Sequence, residues 1–298
     1  MNQAIQVLIL GVLLGGVYAL MASGLTILFG VMRVVNIAHA GFIILGAYFT
    51  FFLWRATGLD PLLGMLVALP VFFLLGAVLY RSLFPRLEGS ARFSEMTVLL
   101  TFGLAFMAEG LMTFFFTGIF RQTSPSYQVD AFRFENFFIP GSQLYIPAAQ
   151  LYGAVSSIVL LVGLWAFLNY THTGYGIRAT MQNRMAAQIV GVDVRRVSII
   201  SFGVGIALAG AAGALVSFLF PFFPARHWQW IAILLSLIVL GGLGSLKGAV
   251  IGAVVLAVIS AFVSHHIGPV WSPMVFYAAL FIILVVRPQG LFGKQGRV

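Results

Sequence analysis

The sequence contains no cysteine and few charged residues. Without thiols, the chain has no disulfide framework, iron–sulfur site or cysteine nucleophile. Charged residues make up 8% of its 298 residues, against about 25% in soluble domains. This scarcity excludes a soluble enzyme, a disordered chain and a water-borne nucleic-acid-binding domain. Hydrophobic residues account for 61% of the chain, which is typical of a protein whose outer surface faces lipid.

Long hydrophobic runs occupy most of the chain. A helix needs about 20 apolar residues to cross a bilayer, and this length predicts spans at 4–32, 37–54, 61–83, 96–120, 144–169, 197–224, 228–264 and 273–287. The glycines at 241–248 favour a break in the seventh run, giving helices at about 228–242 and 247–264. We expect an all-α, polytopic bundle of about eight to nine membrane helices, forming one domain over 1–298.

The net charge of +9 bears on orientation, because basic residues collect in cytoplasmic loops. Arginine is frequent in the 84–95 and 170–196 loops, and basic residues follow 286. The 121–143 loop balances its two arginines with Asp130 and Glu135. The sequence therefore predicts an N-terminus outside the cell and a C-terminus in the cytoplasm.

The 170–196 loop is expected to carry a short amphipathic helix from Ile177 to Val190, stopped by Gly191. Apolar positions recur about every four residues along it and predict one apolar face; they are Ile177, Met181, Met185 and Gln188/Ile189. The helix is too short to span. It either lies on the membrane or docks a soluble partner.

Three polar residues fall in or beside the predicted membrane helices. Asn36 and His39 lie three residues apart beside a helix end. They either line a translocation path or satisfy backbone groups freed by a broken helix. Glu109 lies within the 96–120 run, where an ionisable group usually faces the bundle interior or water. It therefore either lines a translocation path or pairs with a group on another helix. We expect no metal site, because His39 has no second ligand nearby.

Four segments, in order, resemble the branched-chain amino acid permease family of ABC importers. The 174–191 stretch is similar to the family's cytoplasmic coupling loop, although Met185 stands where the wider importer pattern has Glu. The other similar segments are 15–48, 205–215 with 241–253, and 287–293. The chain is most similar to the H-type subunit, because Asn36 precedes Ala38-His39.

The resemblance implies an ABC-importer permease in the bacterial inner membrane, importing branched-chain amino acids or related small polar solutes. Its implied partners are ATP-binding subunits, a second permease subunit of M type in a heterodimer, and an extracytoplasmic substrate-binding protein. The implied contacts with the ATP-binding subunit are Arg178, Asn183, Arg184, Met185, Ala186, Ala187 and Gly191. The candidate path residues are Asn36, His39 and Glu109.

The chain has no Walker A motif, so we expect it to be no enzyme, to hold no cofactor and to rely on its partners for ATP. It would contact membrane lipid and no nucleic acid. A secondary transporter or channel without an ATPase is the alternative, and its signature would be paired intramembrane charges. An intramembrane enzyme is disfavoured, because no nucleophile–base motif is present.

Overall fold

The computed structural model describes residues 2–87, 90–135, 143–287 and 289–292. Helices account for most of this part of the chain. In order they are α1 (Asn2–Met32), α2 (His39–Thr57), α3 (Pro61–Leu83), α4 (Phe93–Phe116), α5 (Ala148–Tyr170), α6 (His172–Gln182), α7 (Arg184–Ile189), α8 (Val194–Leu219), α9 (His227–Gly241), α10 (Leu246–His266) and α11 (Ser272–Val286). The predicted class of a polytopic helical bundle is confirmed.

Eight helical segments of the described ranges are long and apolar enough to cross a membrane. Helix α9 is not among them. Its 15 residues rise about 22 Å, against a hydrocarbon core of about 30 Å. It begins after a non-helical stretch at 220–223 and a short 3-10 turn at Pro224–Arg226. The predicted ninth helix therefore exists as a short helix.

The predicted break within 228–264 is confirmed at 242–245, between α9 and α10. Gly242 and Gly244 have φ angles of 93° and 81°, a conformation that favours glycine. Ser245 caps α10 by accepting a hydrogen bond from the backbone N–H of Gly248 at 3.1 Å. The two helices then pack closely, because a Cβ on Gly248 would lie 1.8 Å from the oxygen of Gly241.

Some predicted runs do not coincide with the helices found there. Helix α4 ends at Phe116 because Thr117 takes a positive φ of 66°. The 144–169 run begins with a strand instead of a helix. Strands β1 (Ala131–Glu135) and β2 (Gln143–Pro147) form an antiparallel hairpin, and α5 begins directly after Pro147. This β-hairpin is an addition to the predicted all-α class.

Helix α8 lies at the centre of the bundle and packs against α1, α2 and α3. Its small residues let the backbones approach closely, as the spacing of glycine and alanine predicts. A Cβ on Gly213 would lie 2.2 Å from the oxygen of Ile43 in α2. Gly11 and Gly15 of α1 likewise lie close to the backbone of α10, where a Cβ would not fit. Small residues therefore fix the spacing of the central helices.

The two ends of the bundle carry different segments. At one end, the guanidinium of Arg33, just after α1, donates to the carbonyl of Met181 in α6 at 3.0 Å. The backbone N–H of Leu291 donates to the carbonyl of Leu240 at the same end, at 2.8 Å. At the other end, Gln6 accepts from the N–H of Tyr145 in the β-hairpin at 2.9 Å. We call these the α6 end and the β-hairpin end.

Candidate functional site

The expected amphipathic helix of the 170–196 loop is two helices, α6 and α7, and not one helix over 177–190. Asn183 separates them in an extended conformation, with φ −154° and ψ 108°. Its side-chain oxygen accepts from the N–H of Ala186 at 3.0 Å and caps α7. Thr171 caps α6 in the same way through the N–H of Gly174. The prediction of one continuous helix was wrong, because an asparagine N-cap interrupts it.

The expected single apolar face is likewise divided between the two helices. Ile177 of α6 is fully buried, and the methyl end of Met181 fills the space beside Gly30 of α1. Met185, Ile189 and Val190 point the other way and are 72%, 80% and 76% exposed. Helix α6 therefore anchors the segment to the bundle, while α7 presents an uncovered apolar surface.

Within α7 the two alanines have different surroundings. Ala186 is exposed, whereas Ala187 is buried against its own chain, and its carbonyl accepts from the N–H of Val192 at 2.9 Å. Gly191 takes a φ of 87° and turns the chain from α7 towards α8. Ala187 and Gly191 therefore shape the segment from within. The accessible apolar surface of α7 and its C-cap consists of Met185, Ile189 and Val190, with the exposed Ala186 and Gln188 beside it.

The arginines of the segment also differ. Arg178 is held by α5 and α6, since it donates to the side-chain oxygen of Asn169 at 2.8 Å and its guanidinium lies 5.0 Å from the ring centre of Tyr175. Arg184 begins α7 and is partly exposed. Arg178 therefore braces the join between α5 and α6.

Asn36 lies in the break between α1 and α2, and His39 is the first residue of α2; both are buried. The side-chain oxygen of Asn36 accepts from the N–H of Ala38 at 3.1 Å. The Nε2 atom of His39 lies 3.2 Å from the carbonyl of Met21 in α1. These contacts satisfy backbone groups around a broken helix, while Asn36 Nδ2 and His39 Nδ1 have no partner in the described chain.

Glu109 joins α4 to the start of α9. Its Oε2 atom accepts from the indole N–H of Trp228 at 2.8 Å, and the same atom lies 4.0 Å from Nε2 of the fully buried His227. His227 Nδ1 lies 2.9 Å from the carbonyl of Pro224. Phe102 and Phe106 pack against the ring of Trp228. The carboxylate is therefore paired with another helix, and the indole that donates to it packs against two further aromatic rings.

Sequence reasoning missed His227 and Trp228 as neighbours of Glu109. The available signal was the position of both residues just after Pro221 and Pro224, at the start of a short helix. His265 and His266 end α10 and are exposed. Among the described residues, no group of three metal-ligating side chains is present.

A helical membrane bundle with buried polar residues at its broken helices and an exposed short helix at one end is typical of the integral membrane subunit of a transport protein. A family model described as "branched-chain amino acid transport system / permease component" matches residues 7–285. The chain belongs to this family.

Three relatives cover nearly the whole chain. The probable branched-chain amino acid transport permease protein LivH of Methanocaldococcus jannaschii is 27% identical, over 92% of this chain and 88% of the relative. The high-affinity branched-chain amino acid transport system permease protein LivH of Escherichia coli is 26% identical, over 95% and 94%. The corresponding protein BraD of Pseudomonas aeruginosa is 25% identical, over 97% and 96%. No solved structure matches the chain significantly.

Proposed function

We propose that this chain is the membrane-spanning subunit of an ATP-driven importer for branched-chain amino acids or related small polar solutes. It would pair with a second permease subunit of M type, bind ATP-binding subunits on the cytoplasmic side and receive substrate from an extracytoplasmic binding protein. The family and the names of its relatives support this proposal. The partners, and not this chain, would bind and hydrolyse ATP.

The exposed apolar surface of α7 carries the proposal. Met185, Ile189 and Val190 are more than 70% exposed in the described chain, on and directly after a helix of six residues that is too short to span a membrane. An apolar helix face of this kind fits a groove on a soluble partner. In our proposal that partner is the ATP-binding subunit. Asn183, Ala187, Arg178 and Gly191 hold the surface in place, and Arg184 and Ala186 lie beside it.

Movement would pass from this surface into the bundle through α6. Closure of the ATP-binding subunits would displace α7, and α6 would transmit the displacement to α1 through Met181 and Gly30. Such rigid-body rocking of packed helices is a known type of switching. Asn36, His39 and Glu109 would line or gate the substrate path, because all three lie at breaks or junctions of the membrane helices.

We assign the α6 end to the cytoplasm and the β-hairpin end to the outside, with the N-terminus outside and the C-terminus inside. The arginine-rich 84–95 and 170–196 loops support this assignment. Phe84, after α3, packs on Phe202 near the start of α8 with ring centres 4.9 Å apart, so both loops lie at one end. Lys294 and Arg297 of the basic tail lie outside the described residues. The protein would reside in the bacterial inner membrane.

The test is assembly with the ATP-binding subunit combined with uptake. The variants Met185→Asp and Ile189→Asp place a charge on an exposed surface, so the bundle should still fold. We expect them to insert normally, to lose co-purification of the ATP-binding subunit and to lose uptake in proteoliposomes that contain the complete transporter. Val129→Asp is the matched control, since Val129 is 89% exposed but lies beyond α4, towards the β-hairpin end.

The expected result for Val129→Asp is unchanged association with the ATP-binding subunit. Full uptake and full association in both α7 variants would contradict the proposed coupling surface. ATP-independent uptake by the wild-type chain alone would instead favour a secondary transporter or channel.

A further inference from the structure

An open apolar groove lies between α3 and α4. It has a volume of about 570 Å³, within the range of small-molecule sites. Ten residues line it, and Ser82 is the single polar side chain among them: Leu79, Ser82, Leu83, Leu87, Met96, Leu99, Leu100, Gly103, Leu104 and Met107. The described parts of α3 and α4 do not pack closely on each other, so the groove opens sideways, towards the membrane.

The length of the groove matches one leaflet. On α4 it runs from Met96 to Met107, a rise of about 16 Å at 1.5 Å per residue. Half of a hydrocarbon core of about 30 Å is about 15 Å. The groove therefore reaches from the α6 end of the bundle to the middle of the membrane, as far as one acyl chain extends.

Two arginines lie at the mouth of the groove. Arg92 is the N-cap residue of α4 and precedes the lining residue Met96 by four positions. Arg86 ends the short 3-10 turn at Phe84–Arg86 and directly precedes the lining residue Leu87. Both guanidinium-bearing residues are exposed. A groove with apolar walls and two cations at its mouth matches an acyl chain joined to a phosphate.

Gly103 leaves room for such a chain in the middle of the groove. No atom lies within 4 Å of a Cβ built on Gly103, and the residue is exposed. A larger side chain would therefore enter the groove without disturbing the bundle. Glu95 is also exposed and lies beside the mouth. Its negative charge would slightly weaken the attraction of the two arginines for a phosphate.

We propose that this groove binds an anionic phospholipid, with one acyl chain between α3 and α4 and the phosphate between Arg86 and Arg92. The occupant is a lipid and not a second permease chain, because the walls supply apolar surface over one leaflet and cations only at the level of the headgroups. Bound lipid would hold α4, which otherwise contacts the described bundle mainly through α2 and the turn before α9.

The test is lipid binding to the purified full chain in detergent, measured by native mass spectrometry and by thermal unfolding. The probes are phosphatidylglycerol and the zwitterionic phosphatidylethanolamine. We expect phosphatidylglycerol to bind at least tenfold more tightly and to raise the melting temperature. The variant Arg86→Gln/Arg92→Gln should lose about fivefold in affinity for each arginine removed. Gly103→Leu should abolish binding of phosphatidylglycerol, while Glu95→Gln should bind this lipid slightly more tightly than wild type.

Two controls distinguish binding in this groove from effects of adding a leucine to α4 or removing an arginine at any position. Gly110→Leu places the same side chain on α4 beyond the groove, also with no atom within 4 Å of its Cβ. Arg55→Gln removes an exposed arginine from the last turn of α2. Both should retain wild-type affinity. Equal binding of the two lipids, or wild-type affinity in the arginine and Gly103 variants, would overturn the proposal. So would complete loss of bound lipid when the second permease is added, since that result identifies a protein interface.

Discussion

The indole N–H of Trp228 donates a 2.8 Å hydrogen bond to the carboxylate of Glu109, and this bond ties the peripheral helix α4 to the start of the short helix α9. The two residues are 119 positions apart in the sequence. In a hydrocarbon surrounding, a carboxylate without such partners is costly. The contact is therefore a structural joint between two helices, whether or not it also lines a path.

The first prediction concerns this joint. Trp228→Phe keeps an aromatic ring but removes the donor, and hydrogen bonds to charged groups contribute about 1.5–3 kcal/mol. We expect Trp228→Phe to lower the free energy of unfolding in detergent by that amount. Glu109→Leu should cost a similar amount, and the double variant should cost less than the sum of the two. Additive losses would show that the two side chains do not interact. Glu95→Gln, in the exposed first turn of α4, is the control and should change little.

The sequence predicts the broad architecture because its signals are local. Apolar run length identifies the spans, and Gly242 and Gly244 mark the break before α10, since tight turns need residues that tolerate positive φ. The apolar repeat passes through Asn183, so the pattern predicts a continuous helix at this position. The cap that it forms depends on the conformation of one residue. Helix periodicity therefore locates the helical segment of the 170–196 loop but does not predict its division into α6 and α7.

The candidate site required tertiary information. Ala187 and Met185 lie two residues apart in one apolar segment, yet Ala187 is buried and Met185 is exposed. The packing of α7 on its neighbours α6 and α8 is not visible in the sequence pattern. The pairing of Glu109 with Trp228 likewise joins distant segments, and no spacing rule connects them. Sequence patterns identified Glu109 as a residue that needs a partner, but they could not name the partner.

A second prediction concerns Gly213, at the contact of α8 with α2. A Cβ there would lie 2.2 Å from the oxygen of Ile43, so Gly213→Ala must separate the helices. We expect a loss of about 1–3 kcal/mol in the free energy of unfolding. Gly163→Ala in α5 is the matched control, because nothing lies within 4 Å of its Cβ. That variant should be stabilised by about 0.5–1 kcal/mol. Equal effects of the two substitutions would contradict the close contact.

A third prediction concerns Tyr127, which lies outside the membrane-spanning segments and donates to Asp60 at 3.2 Å. Burial, and then the neighbouring charge of Asp60, raise the pKa of Tyr127 above its usual value. Both disfavour the phenolate in the folded state. The stability contributed by Tyr127 is therefore fully present below about pH 10 and is lost as pH rises through the folded pKa.

We accordingly expect Tyr127→Phe to be less stable than wild type near neutral pH, by about 1 kcal/mol for the lost hydrogen bond. The difference should shrink above about pH 10, because only the wild-type chain loses stability by ionising Tyr127. Thermal unfolding in detergent across this pH range measures it. A constant difference at every pH would contradict the contribution of Tyr127. Asp60→Asn should retain the cap on the N–H of Leu62 and so preserve α3.

A fourth prediction concerns orientation, and the absence of cysteine makes it simple to test. Gln188 is exposed on α7, and Val129 is exposed near the β-hairpin end. In intact cells, a membrane-impermeant maleimide should label Val129→Cys but not Gln188→Cys. In inverted vesicles the result should reverse. Labelling of Gln188→Cys from outside intact cells would reverse the orientation proposed for the whole bundle.

The last prediction concerns the cap that separates α6 from α7. The side chain of Asn183 accepts from the N–H of Ala186, and replacing such a cap with alanine costs about 0.5–2 kcal/mol. Since α7 has only six residues, this loss should loosen the helix while α6 stays anchored by the buried Ile177. We expect Asn183→Ala to weaken association with the ATP-binding subunit about fivefold, through poorer positioning of Met185 and Ile189.

Asn183→Asp keeps an acceptor at the cap and should retain near wild-type association and uptake. Wild-type association of both the alanine and the aspartate variants, measured by titration of the ATP-binding subunit, would mean that the order of α7 does not govern docking. A fall in both variants would instead indicate a direct contact of the Asn183 amide with the partner, because aspartate preserves the cap but not the amide.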